Sequence, residues 1–543
     1  MAARTQPVNL WRRPGPIAPI GLGLAIGLLG LAAAAMLSLL LVAGNDRTSF
    51  DGTVIGRVAL FTAFQAALSA TLALTLALPT ARACWRRGKS WRTDWLILFC
   101  FLPVVMPTTV AATGLIGVWG QKGFLSAFLQ CLGFDGLPPI YGLQAVLLAH
   151  VFFNAPLMLR VLTGALAGVP PAQWRQAAQW GLTGWQRFRL IEWPAMRRVV
   201  PGLLALVFLI CFTSFSLILM LGGGPALATL EVSIYTALRF DFDMQMAAKL
   251  AILQIMICGA VVVFLTRLGG RSWAATPRAA EQFRVQRGDD MVMSRGCDAA
   301  ILLLFCLIAV VPLLAVTWRG MGPHLIEVAS WPSFRRAIIT SLSIAVVSGL
   351  VTTTLALILA LARTQRSAAG LPVWQLEISI SLYLAVSAIV LGTGLFIMLR
   401  PIADVFALAP FLVLLGNILV SLPFAYRVLE GRVAALSASH DRLCAGLGIV
   451  GWRRFRHITL PAIIPDVGFA AGLASALSIG DMTIVALFGS QQFQTLPWLL
   501  YQTMARYRAG EAAALSLWLL VLTLLLFAVF TLASRVLGGR RYA

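Results

Sequence analysis

Few side chains in this sequence are chemically able to bind or react, and the most prominent of them interrupt long apolar stretches. His150 and Asn154 lie four residues apart in one stretch, and Asp481 interrupts another within LSIGD. Ser214 occupies the position in the first half of the chain that corresponds to Asp481 in the second. Polar groups are costly in hydrocarbon, so such residues usually line a pathway or bond to a neighbouring helix.

Both roles are open for each of these residues. His150 and Asn154 share a helix face and either line a solute pathway or hydrogen-bond to another helix. Asp481 either favours a cation on that pathway or is a buried acid held by hydroxyls and by free backbone near Gly480. The predicted pathway candidates are therefore His150, Asn154, Ser214 and Asp481.

The sequence contains no pattern that predicts catalysis, a metal centre or a nucleotide site on this chain. Carboxylates, histidines and a nucleophile with its base do not converge at one interface, which disfavours an integral membrane enzyme. The eight cysteines show no paired spacing, so neither a disulfide framework nor a metal knuckle is indicated. Gly88-Lys89-Ser90 resembles the end of a phosphate-binding loop, but that loop requires an earlier glycine where this chain has Ala83.

The composition is that of a protein embedded in a bilayer. Of the 543 residues, 59% are hydrophobic and only 11% are charged, and the mean hydropathy is +0.88. The net charge of +22 does not indicate nucleic-acid binding, because no soluble domain gathers the basic residues on one face.

Apolar runs long enough to span a bilayer predict an all-α membrane protein with twelve transmembrane helices. The first run is too long for the core of a signal peptide, so we expect it to be retained as a span. The predicted spans lie near residues 17–42, 57–79, 95–118, 142–164, 201–221, 247–267, 298–318, 337–362, 373–399, 406–428, 466–489 and 513–534. Glu377, which begins the ninth of these spans, is expected to be a helix-end acid near Arg363 or Arg366.

A polar, basic stretch between the fourth and fifth runs occurs again between the tenth and eleventh. The first copy reads RQAAQWGLTGWQRFRLIEWP from Arg175, and the second reads RLCAGLGIVGWRRFRHITLP from Arg442, 267 residues later. The outer segments behind the two copies also match, at Thr229 and Thr495 and at Tyr235 and Tyr501. The chain therefore predicts two homologous six-helix halves fused in parallel orientation, since six spans preserve direction.

Each copy predicts two short helices separated by a glycine. Gly181 can adopt the left-handed conformation that ends the first helix, Thr183 can cap the second, and Pro194 is expected to stop it. Trp185 and Phe188 are three residues apart and share a helix face, which either rests on the lipid surface or docks on a partner. Duplication of the spacing favours a partner that is itself two-fold.

The basic residues predict the orientation of the chain. Most of the 42 Lys and Arg residues fall in loops that alternate with the spans in the positive-inside pattern. We therefore expect both repeated loops and both termini to be cytoplasmic. The predicted first half covers residues 1–268, with its loop at about 170–198. A cytoplasmic linker covers 269–297, and the second half covers 298–543, with its loop at about 437–465.

Both copies resemble the EAA loop of ATP-binding-cassette importer permeases. Gly181 and Gly448 match the glycine of that motif, and Pro194 and Pro461 match its proline. The chain departs from the motif where the family has glutamate, because Arg175 and Arg442 stand there. In that family the loop contacts the nucleotide-hydrolysing subunit. The resemblance therefore implies an ATPase-coupling role for Arg175, Ala177, Gly181, Trp185, Phe188, Pro194, Arg442, Gly448, Trp452, Phe455 and Pro461.

Over nearly its whole length the sequence also resembles the fused permeases of bacterial thiamine importers. The stretches that carry this resemblance, besides the two loops, are YGLQAVLLAHVFFNAP from Tyr141, LGGGPALATLEVSIY from Leu221 and LSIGDMTIVALFG from Leu477. The resemblance implies a type I importer architecture in the bacterial inner membrane, moving thiamine and its phosphates inward. It implies a periplasmic binding protein and a homodimeric ATPase as partners, with ATP and Mg on the ATPase and no cofactor on this chain.

Two other transport functions remain open from the sequence. A fused permease of a ferric iron importer shares the two-loop plan. An ion-coupled secondary transporter needs charged relays in mid-membrane, of which the sequence offers little beyond Asp481.

Overall fold

The computed structural model describes residues 17–44, 52–87, 102–138, 140–224, 227–267, 292–449, 451–490 and 493–539. Throughout these ranges the regular structure is helical. Helices satisfy their backbone N–H and C=O groups internally, as hydrocarbon requires. The prediction of an all-α protein is confirmed, whereas Gly88-Lys89-Ser90 lies outside the described residues.

The helices are numbered here in chain order, and two short π-helical segments, Phe188–Glu192 and Phe455–Thr459, interrupt the series. The α-helices are α1 Ile17–Ala43, α2 Gly52–Arg87, α3 Leu102–Val105, α4 Thr108–Trp119, α5 Phe124–Cys131, α6 Leu143–Ala167, α7 Pro171–Gln179, α8 Gly184–Arg187, α9 Trp193–Met196, α10 Val200–Phe212, α11 Ser216–Leu221, α12 Leu230–Arg239, α13 Met244–Arg267, α14 Val292–Gly320, α15 His324–Ser330, α16 Pro332–Ala368, α17 Trp374–Ala385, α18 Ala388–Leu399, α19 Ala409–Gly446, α20 Gly451–Arg454, α21 Leu460–Gly480, α22 Thr483–Phe488, α23 Leu496–Ala505 and α24 Ala509–Gly539.

Within the described ranges, nine helices are long and apolar enough to cross a membrane, or eleven if two bent helix pairs each count as one span. The bent pairs are Gly184–Met196 with Val200–Phe212, and Trp374–Tyr383 with Ala388–Leu399. The third predicted span, 95–118, lies partly outside the described residues. The exact count of twelve spans stays a prediction.

Two of the predicted spans contain a break. The run 201–221 is not one helix, because α10 ends at Phe212 and α11 begins only at Ser216. The run 466–489 is interrupted at Asp481 and Met482, between α21 and α22, but belongs to one candidate span, Gly451–Phe488. Mean hydropathy does not detect these breaks, because the polar Ser214 and Asp481 are outweighed by apolar neighbours. Helix α14 begins at Val292, within the predicted linker 269–297, whose cytoplasmic placement stays a prediction.

The chain forms two compact units, which cut across the predicted sequence halves. One contains the described parts of residues 1–41, 338–493 and 522–543, and the other contains those of 42–337 and 494–521. The first helix, α1, thus groups mainly with residues from the later part of the sequence. The division into homologous halves stays a prediction about the sequence duplication.

The first of these units has an apolar core in which α1 packs on later helices. Ala25, Leu28 and Ala32 belong to one buried cluster with residues of α16, α17, α19 and α21. The Tyr383 hydroxyl donates to the Leu28 carbonyl over 2.7 Å, and the Ser38 hydroxyl donates to the Gly394 carbonyl over 3.0 Å. Small residues and such hydrogen bonds let membrane helices approach closely.

Two glycines four residues apart set the packing of α21 against α24 in the same unit. A Cβ at Gly468 would lie 2.7 Å from the Phe530 carbonyl oxygen, and one at Gly472 would lie 3.0 Å from that of Phe527. The backbones of the two helices therefore meet at a G-x-x-x-G stripe.

The second unit is held by similar close approaches and by polar contacts. A Cβ at Gly114 would lie 2.6 Å from the Pro312 carbonyl oxygen, so α4 and α14 are in backbone contact. The Thr113 hydroxyl donates to that of Ser516 over 2.7 Å. Arg86 bonds to the fully buried Asp298 over 2.6 Å and fixes the start of α14 to the end of α2.

We predict that Gly468→Val destabilises the protein, whereas Gly27→Val does not. The added side chain at 468 would overlap the α24 backbone, and such overpacking costs about 1–3 kcal/mol or more. A Cβ at Gly27 meets no atom within 4 Å, and it controls for the low helix propensity of valine. The measurement is the midpoint of thermal unfolding in detergent. Equal midpoints for the two variants would contradict the packing.

Candidate coupling loops and polar sites in the spans

The first repeated loop is a helix, a left-handed glycine and a capped second helix, as predicted. Helix α7 ends at Gln179, and Gly181 has φ +60°. The Leu182 amide donates to the Ala177 carbonyl over 3.0 Å, which closes the helix end. Thr183 then caps α8 in a reciprocal arrangement with Gln186, whose side chain accepts from the Thr183 amide over 2.8 Å.

The second loop repeats the turn at the end of a much longer helix. Helix α19 runs from the predicted tenth span to Gly446 without a break. The short helix that was predicted before Gly448 is therefore the last part of this long helix. Gly448 has φ +66°, and the Ile449 amide donates to the Cys444 carbonyl over 2.9 Å. Gly451 is also left-handed, with φ +60°.

The prolines have different outcomes in the two copies: the helix that contains Pro194 ends at Met196, before α10, whereas the helix continues through Pro461. In each copy a π-helical turn precedes the proline: Trp193 donates to the Phe188 carbonyl, and Leu460 donates to that of Phe455. Proline lacks an N–H and crowds the carbonyl four residues earlier, and a widened turn relieves both problems. The helix therefore continues through Pro461 into α21. In the first copy it continues through the proline and bends by 55° before α10.

The first loop is anchored to the end of α2 by Arg82. Its guanidinium bonds to the buried Glu192 over 2.6 Å and lies 4.0 Å from the centre of the Phe188 ring. The ring of Trp174, on the buried face of α7, lies 5.6 Å from that of Trp85. A buried carboxylate that loses its cation is strongly destabilised, so this contact fixes the loop to its span.

The second loop has a different anchor, within its own segment. Arg454 bonds to Asp441 near the end of α19, and Asp441 also accepts from the Ser437 hydroxyl over 2.5 Å. Arg432 of α19 bonds to Asp466 of α21 over 3.3 Å. The two loops therefore share a backbone shape while different residues hold them.

Both loops expose large apolar side chains at matching positions. In the first copy Trp180 and Trp185 are 74% and 68% exposed, and in the second copy Leu447 and Trp452 are 65% and 68% exposed. Trp185 and Trp452 each contact the phenylalanine three residues later in a tilted arrangement, with ring centres 5.4 Å apart in the first loop and 5.2 Å in the second. Large exposed apolar side chains rimmed by charge are typical of a docking surface.

The remaining predicted coupling residues divide between exposed and buried positions. Arg175 is exposed, whereas Ala177 is buried on the inner face of α7. Phe188 and Phe455 are half-buried, and Pro461 is buried. The side chain of Arg442 lies outside the described residues. The coupling role of all eleven residues stays a prediction.

His150 and Asn154 are buried in α6 and take part in contacts between helices. His150 Nδ1 lies 2.9 Å from the Ser69 hydroxyl of α2. The Asn154 amide donates to the His150 carbonyl over 2.9 Å and to the Cys211 sulfur of α10 over 3.4 Å. These contacts match the interhelical alternative, and a pathway role for the two residues stays a prediction.

Asp481 lies at the break between α21 and α22. Its carboxylate accepts from the amides of Thr483, over 3.1 Å, and Ile484, over 3.2 Å. These N–H groups lie in the first turn of α22, where no earlier helical carbonyl is available, so the acid replaces bonds that the break removes. Ser214 occupies the equivalent break between α10 and α11, and is half-buried. Glu377, predicted to pair with Arg363 or Arg366, bonds to Arg363 over 3.0 Å.

Among the described residues, His324, Glu327 and Glu511 have ligand atoms within 4.8 Å of one another. Glu511 is already paired with Arg508 over 2.8 Å, and His324 bonds to Glu327 over 2.8 Å. These contacts account for the cluster as an ion-pair network. The absence of a resident metal stays a prediction.

Two contacts that anchor these segments were not predicted from the sequence. The Arg82–Glu192 contact joins residues 110 positions apart, and no local pattern marks such a pair. A charged residue in each partner stretch is a weak signal, because basic residues are common at the ends of all predicted spans. The contact of Ser69 with His150 was missed for the same reason.

Comparison with known proteins identifies the family. The model for binding-protein-dependent transport system inner membrane components matches residues 69–272. The chain is 38% identical over 536 residues to a thiamine transport system permease protein from Escherichia coli, covering 97% of this chain and 98% of the relative. It is 38% identical to the Salmonella typhimurium protein of the same description, covering 99% of each, and 37% identical to that of Brucella abortus, covering 97% and 96%.

A putative ferric transport system permease protein from Haemophilus influenzae is more distant, at 24% identity over 209 residues, or 38% of this chain. The similarity to the thiamine permeases is higher and extends over nearly the full length. The chain therefore belongs to the family of thiamine transport system permease proteins, which are multi-pass membrane proteins of binding-protein-dependent transport systems.

Proposed function

We propose that this chain is the transmembrane permease of an ATP-binding-cassette importer that moves thiamine, and its phosphates, across the bacterial inner membrane. The family membership supports the substrate. The observation that carries the transport mechanism is the matched pair of loops, each with a left-handed glycine, an exposed tryptophan and a helix that continues into the membrane. A permease without its own nucleotide site needs a separate motor.

We propose that this motor is a homodimeric ATPase on the cytoplasmic side, carrying ATP and Mg. Two equal docking surfaces on one chain suit two equal subunits. Trp180 and Trp185 would contact one subunit, and Leu447 and Trp452 would contact the other. The positive-inside distribution of Lys and Arg supports this orientation, with both termini in the cytoplasm. A periplasmic binding protein would deliver the substrate at the opposite face.

The twelve-span arrangement in two homologous halves is part of the same proposal. It is supported by the duplicated loops and by the matched outer helices α12 and α23, which have ten residues each and begin after Thr229 and Thr495. ATP-driven closure of the partner would bring the loops together and change the exposure of the pathway. Only a partner that binds the two states with different affinity can shift their balance.

The direct test of the substrate is uptake by source cells with and without this gene. Cells lacking the gene should lose uptake of labelled thiamine and retain uptake of labelled ferric iron. The tagged chain should also copurify with an ATPase and with a soluble receptor, whose bound ligand mass spectrometry identifies. Loss of iron uptake alone would favour the ferric alternative. Thiamine uptake that persists after loss of the copurified ATPase would favour an ion-coupled carrier.

A second prediction concerns the left-handed glycine of each loop. A Cβ at Gly448 meets no atom within 4 Å, so substitution there acts through the backbone rather than through a clash. The left-handed conformation costs an ordinary residue about 1–2 kcal/mol, which lowers the population of the docking turn by roughly 5- to 30-fold. We expect Gly448→Val to reduce the initial rate of thiamine uptake by that factor, and Gly181→Val to do the same.

The matched control for this prediction is Gly448→Asn, because asparagine tolerates the left-handed conformation. It should retain uptake within about twofold of the unchanged protein. Membrane levels of each variant are compared by immunoblot. If the valine and asparagine variants transport equally well at equal abundance, the turn does not couple the chain to its motor.

A further inference from the structure

Two clusters of buried polar residues lie within the helices at positions that correspond between the sequence halves. The first cluster has two residues on α2, two on α6 and one near the end of α10. The second has two residues on α16, two on α19 and one near the end of α21. The first cluster consists of Gln65, Ser69, His150, Asn154 and Cys211, and the second consists of Ser348, Thr352, Asn417, Ser421 and Ser478.

The correspondence is positional throughout. The last three residues of the two clusters are 267 positions apart, which is the offset of the two loops. The first two are 283 positions apart, which is the offset of TLALTLAL from Thr71 and TLALILAL from Thr354. All five positions are therefore polar or sulfur-bearing in both halves.

The first cluster joins three helices. Besides the contacts of His150 and Asn154 described above, the Gln65 amide donates to the Cys211 carbonyl over 3.1 Å. The last turn of α10 is therefore bonded to α2 through Gln65 and to α6 through Asn154. Ser69 and His150 join α2 to α6 directly.

The second cluster also bonds neighbouring helices, but through other pairs of positions. The Asn417 amide donates to the Ser478 hydroxyl over 2.8 Å and to its carbonyl over 3.3 Å. The hydroxyls of Thr352 and Ser421 are 3.2 Å apart. The Ser421 hydroxyl donates to the Asn417 carbonyl over 2.5 Å, as the amide of Asn154 does to the His150 carbonyl in the first cluster.

Both clusters also leave polar atoms unsatisfied at the same two positions. In the first, Gln65 Oε1 and His150 Nε2 are buried and make no hydrogen bond within the described structure. In the second, the same holds for Ser348 Oγ and Asn417 Oδ1. A buried polar atom without a partner is destabilising, and native proteins retain few of them. Unsatisfied atoms therefore occur at the same two positions of both clusters.

The clusters lie at the far ends of the helices that follow the coupling loops. Helix α21 begins at Leu460, beside Pro461, and Ser478 lies in its last turn. At 1.5 Å per residue its 21 residues span about 30 Å. In the first half α10 follows the loop after the 55° bend, and Cys211 lies in its last turn. The helical path breaks three residues after each of these positions, at Ser214 after Cys211 and at Asp481 after Ser478.

We propose that the two clusters, at the far ends of these helices, are the attachment points through which the coupling loops act on the transport pathway. This inference rests on the proposed function. The helix after each loop carries displacement from the docked partner to its cluster. There the hydrogen bonds to the two neighbouring spans change partners, and the unsatisfied atoms at 65, 150, 348 and 417 gain partners in the other transport state. The cluster side chains are positioning residues, because they act through the helix that they hold.

The transport test compares cluster hydroxyls with equivalent hydroxyls outside the clusters. Ser69→Ala and Thr352→Ala each remove a bond between spans. Thr71→Ala and Thr354→Ala remove exposed hydroxyls, two residues further along the same helices, that bond only to their own backbone. We expect the cluster variants to lower the maximal rate of thiamine uptake about tenfold with KM unchanged. The control variants should stay within about twofold.

A conservative exchange distinguishes positioning from general loss of structure. Ser69→Thr and Thr352→Ser keep a hydroxyl at each position and swap the residue types that the two halves use. Both should restore uptake to within about threefold of the unchanged protein. The proposal is overturned if the alanine variants transport like the controls. It is also overturned if the exchanged variants fail as badly as the alanine variants at equal membrane abundance.

A measurement without substrate separates this inference from the proposed function. In the purified chain, the shifts in thermal midpoint caused by Ser69→Ala and His150→Ala should be non-additive, because each removes the same contact. The shifts in thermal midpoint caused by Thr71→Ala and His150→Ala should be additive. An unchanged protein that moves no thiamine refutes the proposed function alone, whereas additivity of the Ser69 and His150 shifts refutes the cluster.

Discussion

The structure depends on one constraint, which is that a helix broken inside a membrane must replace the backbone hydrogen bonds that the break removes. At the second break the Asp481 carboxylate accepts from the amides of Thr483 and Ile484. Before the first break, the Gln65 side chain donates to the Cys211 carbonyl in the last turn of α10. Polar side chains in these helices thus stabilise the breaks, and each break separates two successive helices.

Helical segments join each repeated loop to the break that follows it. A π-turn precedes the proline after each loop, at Phe188–Glu192 and Phe455–Thr459. The segment after the second loop is one continuous helix, whereas that after the first is bent. Their anchors differ too, with Arg82 holding the first loop and Asp441 holding the second. The two loops, which share a left-handed glycine turn, are thus attached to the rest of the chain in different ways.

The sequence predicted the features that depend on short-range chemistry. The left-handed Gly181 and Gly448 and the cap at Thr183 were predicted because each follows from one or a few adjacent residues. The exposed Trp185 and Trp452 followed from helical spacing and duplication. The pairing of Glu377 with Arg363 followed from its position at a predicted helix end.

The features that were missed depend on contacts between distant segments or on local backbone adjustments. A proline normally ends a helix, and no residue in the two stretches marks the π-turn that lets it continue. Neither break is visible in mean hydropathy, because the polar Ser214 and Asp481 are outweighed by apolar neighbours. The polar clusters were missed because two different offsets, 267 and 283, must be applied before Gln65 aligns with Ser348 and His150 with Asn417.

Site-specific photocrosslinking at positions 185 and 452 in living cells tests the central claim most directly. A photoreactive residue in place of Trp185, and separately of Trp452, should form a covalent adduct with one and the same cytoplasmic ATPase. The same residue at the buried position 174 should form no such adduct. Adducts with an extracytoplasmic protein, or none from either loop while the transporter remains active, would contradict the account.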